Sequence, residues 1–433
     1  MKIAIIADDL TGACDTGVQL VQYGLDVSVA IQCSKHRLDA DKDAIIFNTD
    51  SRALPKEEAY TKVKDTSQQI KEMEFDFIYK KIDSTMRGNI GSELNAVYDI
   101  FQPDFIFITP AHPNNGREVR NGVHYLNGVK LSETEVANDP KTPVTEANVC
   151  QLIQHSSGRR VEHLHSSDLD KGNHFLLQRL DEWKKQGISY VTVDAITEQD
   201  LQRLMDVVHL AYSSILCGSA GLIHYLPESL GIEKQQQDNQ ILTNNQPILF
   251  VIGSISKLGR QQLHHLLLNS RVVGVEMDVI HVIAEDEAKD KELQRIQTKI
   301  EAAIFAGNSV ALYSSSDLEA TAAIGRDKEI SPIEISNLIS EALGDAAVSI
   351  INAMKIRNLF LTGGDTAQQV FEKLQIKDYQ LIGELELGVP VGKIAKHNEM
   401  ITITKAGSFG TDHVMTNALQ QLHIGAQKDK ANY

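Results

Sequence analysis

The sequence predicts an α/β protein of two domains, each a mainly parallel β-sheet flanked by helices. Three observations carry that expectation. Short apolar runs alternate with segments of helical periodicity along most of the chain. The polar, chemically dense stretches fall at the carboxyl ends of those runs, where doubly wound sheets place their ligands. The 433 residues also exceed what one ordinary core organises, and a polar run interrupts the alternation near the middle.

Ile3 to Ala7 is a short apolar strand, Asp8-Asp9-Leu10-Thr11-Gly12-Ala13 is its turn, and a helix follows to about Gln22. Val27 to Ile31 and Ile45 to Asn48 read as strands, the second running into Thr49-Asp50-Ser51-Arg52. Phe75 to Tyr79 is a buried strand that meets Lys80-Lys81-Ile82-Asp83-Ser84-Thr85-Met86-Arg87-Gly88-Asn89-Ile90-Gly91, and Leu94, Val97, Ile100 and Phe101 then recur at helical spacing. A strand at Phe105 to Thr109 enters Pro110 to Arg117. From Asn121 to Val144 turn formers dominate, including Asn127-Gly128 and Asp139-Pro140-Lys141-Thr142-Pro143, which predicts a hairpin or long loop over the site. Alternation resumes with Tyr190 to Val193, a helix near Glu198 to Leu210, and Ser214 to Leu216 entering Cys217-Gly218-Ser219-Ala220-Gly221.

The first domain is expected over 1–232, a linker over 233–246, and the second domain over 247–425. The second domain opens with Ile248 to Ile252, the turn Gly253-Ser254-Ile255-Ser256, and a helix carrying Leu258, Leu263 and Leu266. Further strands are predicted at Ser309 to Tyr313, Asn358 to Thr362 and Met400 to Thr404. Two of them lead into glycine turns, Gly363-Gly364-Asp365-Thr366 and Ala406-Gly407-Ser408-Phe409-Gly410. No fixed-period repeat appears, and the residues from Gln427 read as a frayed tail.

Composition narrows the function classes. Hydrophobic content of 42% with 23% charged residues is that of a globular protein. A net charge of −16 argues against a general nucleic-acid or anionic-membrane binder, although local cations can still hold an anionic substrate. No apolar run reaches membrane-spanning length, and Asp8 and Asp9 come too early for a signal peptide. Cys14, Cys33, Cys150 and Cys217 lack paired metal or redox spacing, so reduced thiols in the cytoplasm are the plain reading.

The strand-end turns carry the chemistry. One aspartate at Asp8-Asp9 suits a helix cap, but two adjacent carboxylates exceed capping needs. One could bind substrate hydroxyls or take a proton, and the other could hold magnesium. Arg52 alone would pass for a solvated loop residue; at a strand end its planar guanidinium suits a carboxylate. Lys81, Asp83, Ser84, Thr85 and Arg87 are too dense for a capped helix with a charged rim, and Gly88 and Gly91 allow close backbone approach. His112, between prolines, reads first as a packing or locally bonded group. Lys141 and Arg117 could help hold an acidic substrate. In the second half there is neither a P-loop nor a dinucleotide fingerprint. Three glycine turns remain, whose backbone N–H groups at helix starts can bind phosphate, with Lys405 beside the last.

These residues also resemble the four-carbon acid sugar kinases. The resemblance rests on Ala7 to Ala13 with Asp15, Lys80 to Gly91, Thr109 to Arg117, Asn121-Gly122 with His124-Tyr125, Asp139 to Val144, Leu361 to Ala367, and Ile403 to Gly410, in order along nearly the whole chain. It implies phosphorylation of a tetronate by ATP with Mg²⁺, an acid-sugar-binding first domain, a nucleotide-binding second domain, and an active site in the cleft between them. Carried over, the substrate positions are Asp9, Arg52, Lys81, Ile82, Asp83 and Ser84, with Asp9 or Asp83 as the base. The implied ATP positions are Ser254, Ser256, Gly363, Gly364, Asp365, Thr366, Gly407 and Gly410, and the metal ligands are left open. Lys-Lys-Ile-Asp-Ser-Thr with Met-Arg-Gly is similar to the D-threonate and D-erythronate branch, with D-threonate as the expected substrate and D-erythronate or 3-oxo-tetronate as the alternatives. Met86 stands where leucine is commoner, a volume-conserving change.

Two readings of other classes compete: an NAD-dependent hydroxy-acid dehydrogenase, weakened by the missing fingerprint, and a non-catalytic acid-sugar sensor, weakened by the absence of a DNA-binding signal. Oligomeric state is left open, a homodimer being one expectation.

Overall fold

The computed structural model describes the chain except residues 32–40, 140, 209–211, 235–243, 255, 270, 285–286, 316–317, 396–398, 408 and 429–433. The chain divides into two compact units, Met1–Gln237 and Asp238–Tyr433. The expected linker falls largely on 235–243, outside the described residues.

In the first unit the strands are β1 (Ile3–Ala7), β2 (Val27–Ala30), β3 (Ala44–Asn48), β4 (Phe77–Lys81), β5 (Phe105–Thr109), β6 (Arg117–Arg120), β7 (Val123–Leu126), β8 (Val129–Lys130), β9 (Val161–Leu164), β10 (Tyr190–Val193) and β11 (Ser214–Gly218). Among the described residues, the main sheet of this unit runs β2-β3-β1-β4-β11-β5-β10-β9, every neighbouring pair parallel. Its strands are apolar without alternation, β1, β3 and β5 being buried along their whole length, because helices cover both faces of such a sheet. The chain leaves β1 for β2 and β3 on one side and then returns to β4 on the other. The β1–β4 junction is therefore the switch point, where the loops separate and open a crevice. Register sets Ala7 opposite both Asn48 and Lys81, so the turns after β1, β3 and β4 begin at one level.

The predicted hairpin is a small antiparallel sheet, β6-β7-β8. Its two turns, Asn121-Gly122 and Asn127-Gly128, have positive φ at both central residues (51° and 75°; 51° and 80°). That geometry matches the twist of antiparallel strands and selects Asn-Gly.

The second unit contains β12 (Ile248–Ile252), β13 (Val272–Met277), β14 (Ser309–Ser314), β15 (Asn358–Thr362), β16 (Asp378–Glu386), β17 (Val389–Ile394) and β18 (Met400–Lys405). They run β13-β14-β12-β15-β18-β17-β16. The first five are parallel, and β17 is antiparallel to both β18 and β16. Phe250, Phe360, Ile401, Ile403, Met415 and Leu419 belong to one buried core cluster that covers one face. Here too the chain winds to one side of β12 and then crosses to β15, making a second switch point.

Several boundaries differ from expectation. The strand expected at Phe75–Tyr79 is Phe77–Lys81, so Lys80 and Lys81 end a strand and do not begin a turn. Strands β9, β13, β16 and β17 were not anticipated; β13 and β16 carry charged residues that break the apolar signal. The last helix, Val414–Lys428, continues past Gln427, and 429–433 lie outside the described residues.

Candidate active site

At the first switch point Asp9 caps the helix Leu10–Val21, its Oδ1 accepting from Gly12 N at 2.8 Å. The capping reading is thus correct for Asp9, but it accounts for only one oxygen. Arg52 Nη1 donates to the other, Oδ2, at 2.6 Å. Arg52 also grips Asp8 in a fork, Nε to Oδ2 at 2.7 Å and Nη2 to Oδ1 at 3.0 Å. These bonds use three of the five guanidinium N–H groups. Asp83 Oδ1 lies 3.8 Å from Arg52 Nη1.

The two neighbouring aspartates titrate in opposite directions. Burial opposes ionisation of Asp8, but the Arg52 fork outweighs it and holds the carboxyl below its usual range. Burial dominates at Asp9, and the adjacent Asp8 charge adds to it, raising the Asp9 carboxyl despite Arg52. Asp83 is buried too, yet Arg87 and Arg52 hold it well below the ordinary range. Arg87 Nε reaches Asp83 Oδ2 at 2.7 Å, Nη2 reaches Oδ1 at 3.2 Å, and Nη1 reaches Asp139 Oδ2 at 3.2 Å. Arg87 therefore fastens the Asp83 turn to the loop after the small sheet. His124 Nε2 adds a second fastening, 2.7 Å from Ser84 O. Ile82 is buried, its N–H donating to Gly218 O at 2.9 Å.

The two lysines ending β4 separate by function. Lys80 pairs with Glu93 Oε2 at 2.7 Å, and Glu93 Oε1 accepts from Ser51 Oγ at 2.7 Å. Lys81 points into the cluster, its Nζ donating to Ile82 O at 2.9 Å. A Cβ on Gly12 would stand 2.6 Å from Asp9 Oδ1 and 2.9 Å from Lys81 Nζ. Only glycine leaves room for those groups at the helix start.

Two more charged groups lie beside this cluster: Asp15, which was given no role from the sequence, and Arg117, which was expected to help hold an acidic substrate. Asp15, one turn along the capped helix, is pushed up to about 6 by burial, against the pull of Lys81. Arg117, at the start of β6, has a buried Nε with no hydrogen-bond partner among the described residues, while its Nη1 donates to Asn115 O. Burial lowers the Arg117 guanidinium, and Asp83 and Asp15 oppose that. Burial, with Arg117 and Lys81 nearby, brings His112 down to about 4 and keeps it neutral. A sequence signal existed for Asp15 as well, since it follows Gly12 by about one turn of the capped helix.

In the second unit β12, β15 and β18 are adjacent, and their glycine turns come together. Gly253 N donates to Thr362 O at 3.0 Å and Gly363 N to Lys405 O at 3.1 Å. Ser256 Oγ donates to Gly407 O at 2.9 Å and accepts from Gly259 N at 3.1 Å as the cap of the helix Lys257–Leu267. A Cβ on Gly407 would meet Ser254 Oγ at 2.5 Å. Thr366 is buried against Gly253, whose Cβ would lie 1.9 Å from Thr366 Oγ1. Gly363, at φ 102°, precedes the helix Gly364–Lys373, whose first turn carries Asp365 and Thr366. Gly410 lies on a loop tied down by Gln262 Nε2, which donates to Phe409 O and Thr411 O at 3.1 and 2.9 Å. Lys405 Nζ donates to Ala406 O and Gly407 O, and burial lowers it to about 8. The expected Ser254, Ser256, Gly363, Gly364, Thr366 and Gly407 thus share one strand-end surface with two helix N-termini.

Comparison with known proteins agrees with both halves. A sugar-binding N-terminal domain family matches residues 3–226, and a nucleotide-binding C-terminal domain family matches residues 249–415. The chain is 32% identical to the D-threonate kinase of Salmonella typhimurium over 97% of its own length and 98% of that protein. It is 27% identical to the D-erythronate kinase of Heliobacterium modesticaldum, over 97% of each. The crystal structure of a Haemophilus influenzae protein superposes with a TM-score of 0.75 at 25% identity, covering 97% of this chain and 100% of that one. The competing dehydrogenase and sensor readings fall with these matches. The chain belongs to the four-carbon acid sugar kinase family and is a carbohydrate kinase.

Proposed function

We propose that the chain transfers the γ-phosphoryl group of ATP to the terminal hydroxyl of a four-carbon acid sugar, D-threonate giving 4-phospho-D-threonate. The observation that carries the reading is the ring around Gly12, where Asp9, Lys81 and Arg52 meet from three strand ends, with Asp15 electrostatically coupled to Lys81 and Asp9. Lys81 and Arg117 make no ion pair with a carboxylate among the described residues, so they receive the tetronate carboxylate, Arg52 adding its remaining N–H groups. The D-threonate kinase match favours that isomer over D-erythronate.

Asp9 fits the proton acceptor better than Asp83. A general base works best with its pKa near the working pH, and Asp9 is raised while Asp83 is pinned down by two arginines. Asp83 instead orients substrate hydroxyls through its turn. In the second unit the amides of the glycine turns and Lys405 hold the nucleotide phosphates, where charge stabilisation supplies most of the catalysis. Magnesium bound with ATP draws most ligands from phosphate and water and needs one or two protein carboxylates. Asp365, in the first turn after Gly363-Gly364, fits that need, and the ion would neutralise phosphate charge. ADP release measured over D- and L-threonate, D- and L-erythronate and 3-oxo-tetronate tests the proposal. The highest kcat/KM is expected with D-threonate, and no ADP release with any tetronate would refute it.

A further inference from the structure

Away from the Gly12 ring, three ligating side chains converge at the ends of β9 and β10. These strands pair in parallel with Thr192 opposite His163, which brings His163, His165 and Asp194 together. His163 Nε2 lies 3.1 Å from Asp194 Oδ1, and His165 Nδ1 lies 3.4 Å from Asp194 Oδ2. One ligand atom from each of the three falls within 4.8 Å of the others. The Asp194 side chain is 2% exposed, His163 13% and His165 49%, so the group is closed on the protein side and open past His165.

The surrounding contacts hold the group in place. His163 Nδ1 lies 2.9 Å from Thr192 Oγ1, which also donates to Glu162 O at 3.2 Å. His163 Nε2 faces Asp194 Oδ1 at 3.1 Å, and the same carboxylate accepts from the backbone N–H groups of Asn121 and Gly122 at 3.0 and 2.8 Å. Two imidazole nitrogens from neighbouring positions of one strand end thus face the two oxygens of one buried carboxylate.

We propose that His163, His165 and Asp194 bind a divalent transition metal, zinc(II) by preference, with a fourth position open to solvent. Tetrahedral zinc with bonds near 2.0–2.1 Å sets neighbouring donors roughly 3.3 Å apart, close to the two imidazole–carboxylate spacings of 3.1 and 3.4 Å, with the two imidazole nitrogens within 4.8 Å of each other. Two imidazoles and one carboxylate suit zinc, whereas magnesium and calcium prefer all-oxygen sets. The Nδ1–Thr192 bond is the outer-shell support that metal-bound histidines characteristically have. Asp194 would then link the metal to the Asn121-Gly122 turn, tying the sheet edge to the small sheet that touches Ser84.

The full chain, stripped with chelator and titrated with zinc against a chromophoric competitor, is expected to bind one equivalent. His163→Ala and His165→Ala should each weaken that binding at least tenfold, and zinc should raise the melting temperature of the parent but not of His165→Ala. Because His165 is half exposed, its replacement tests the site without emptying the core. Cobalt(II) should give strong visible absorption in the parent and lose it in His165→Ala. Failure to bind one equivalent, or equal affinity in the parent and both variants, overturns the assignment.

Discussion

Lys80 Nζ and Glu93 Oε2 lie 2.7 Å apart with 0% and 1% of their side chains exposed. Burial opposes the Lys80 charge, yet Glu93 and Asp8 raise its pKa, so Lys80 is held charged against its buried partner. Such a pair contributes little over an apolar isostere but is costly to break on one side. Glu93→Gln or Lys80→Met should therefore cost about 3–5 kcal/mol in urea unfolding, and Lys80→Met with Glu93→Leu should cost less than either single change. Additive losses in the double variant would contradict the coupling.

The aspartate assignments separate by kinetics. Asp9→Asn should lower kcat by about 10²–10⁴, the size of a general-base contribution. Asp83→Asn should mainly raise KM, because its turn loses the Arg87 fork that shapes it. A larger kcat loss at Asp83 would move the base there, and mild losses at both would remove the assignment from both residues.

How far the sequence foretold these groups depends on whether their partners were local. Asp8, Asp9, Arg52, Lys81 and Asp83 were legible because a parallel sheet delivers strand-end residues to one edge whatever their separation in sequence. The end of β4 was misplaced because Lys80 and Lys81 look like turn residues until Glu93, on the next helix, neutralises the first. Arg117 and Asp15 were visible as types but not as electrostatic partners of each other, since that depends on how a loop folds back. His163, His165 and Asp194 carried no recognisable spacing at all; only the pairing of β9 with β10, and β9 was not anticipated, brings them together. The β16–β17 antiparallel pair was missed because charged residues and glycines interrupt its apolar signal, Asp378, Glu384 and Glu386 in β16 and Gly392 and Lys393 in β17.

Gly12 is a position where a methyl group would meet polar atoms of the candidate site directly. Gly12→Ala would press on Asp9 Oδ1 and Lys81 Nζ. The expected result is a fall in kcat/KM of about 10²-fold, as misplacement by about 1 Å commonly costs, with the melting temperature within a few degrees of the parent. Unchanged kinetics would show that the ring around Gly12 is not where substrate binds.

Proton-linked nucleotide binding is expected if Lys405 meets the phosphates as proposed. Burial holds it down to about 8, so a fraction is neutral in the free protein above neutral pH. A bound phosphate favours the charged form and raises the pKa again. ATP binding near pH 8.5 should therefore take up a substantial fraction of a proton, seen as a buffer-dependent calorimetric heat. Lys405→Met should abolish the buffer dependence; if the uptake persists in that variant, another group is responsible.

Asp15 offers a test of whether the proposed acid-sugar site stores instability. Its folded pKa, about 6, lies above the ordinary 3.8. The folded state therefore holds this proton more tightly than the unfolded chain does. The resulting stability is fully present below pH 3.8 and is lost as pH rises through about 6. Above that window the charged, desolvated Asp15 is a liability that Lys81 only partly offsets. Asp15→Asn should match the parent below pH 4 and exceed it by on the order of 1–3 kcal/mol above pH 6.5, since each pKa unit corresponds to about 1.4 kcal/mol. Activity should fall in the same variant, the trade expected of a functional site. A variant less stable than the parent at pH 7 would show instead that the Asp15 charge is fully compensated, and that its raised pKa does not strain the fold.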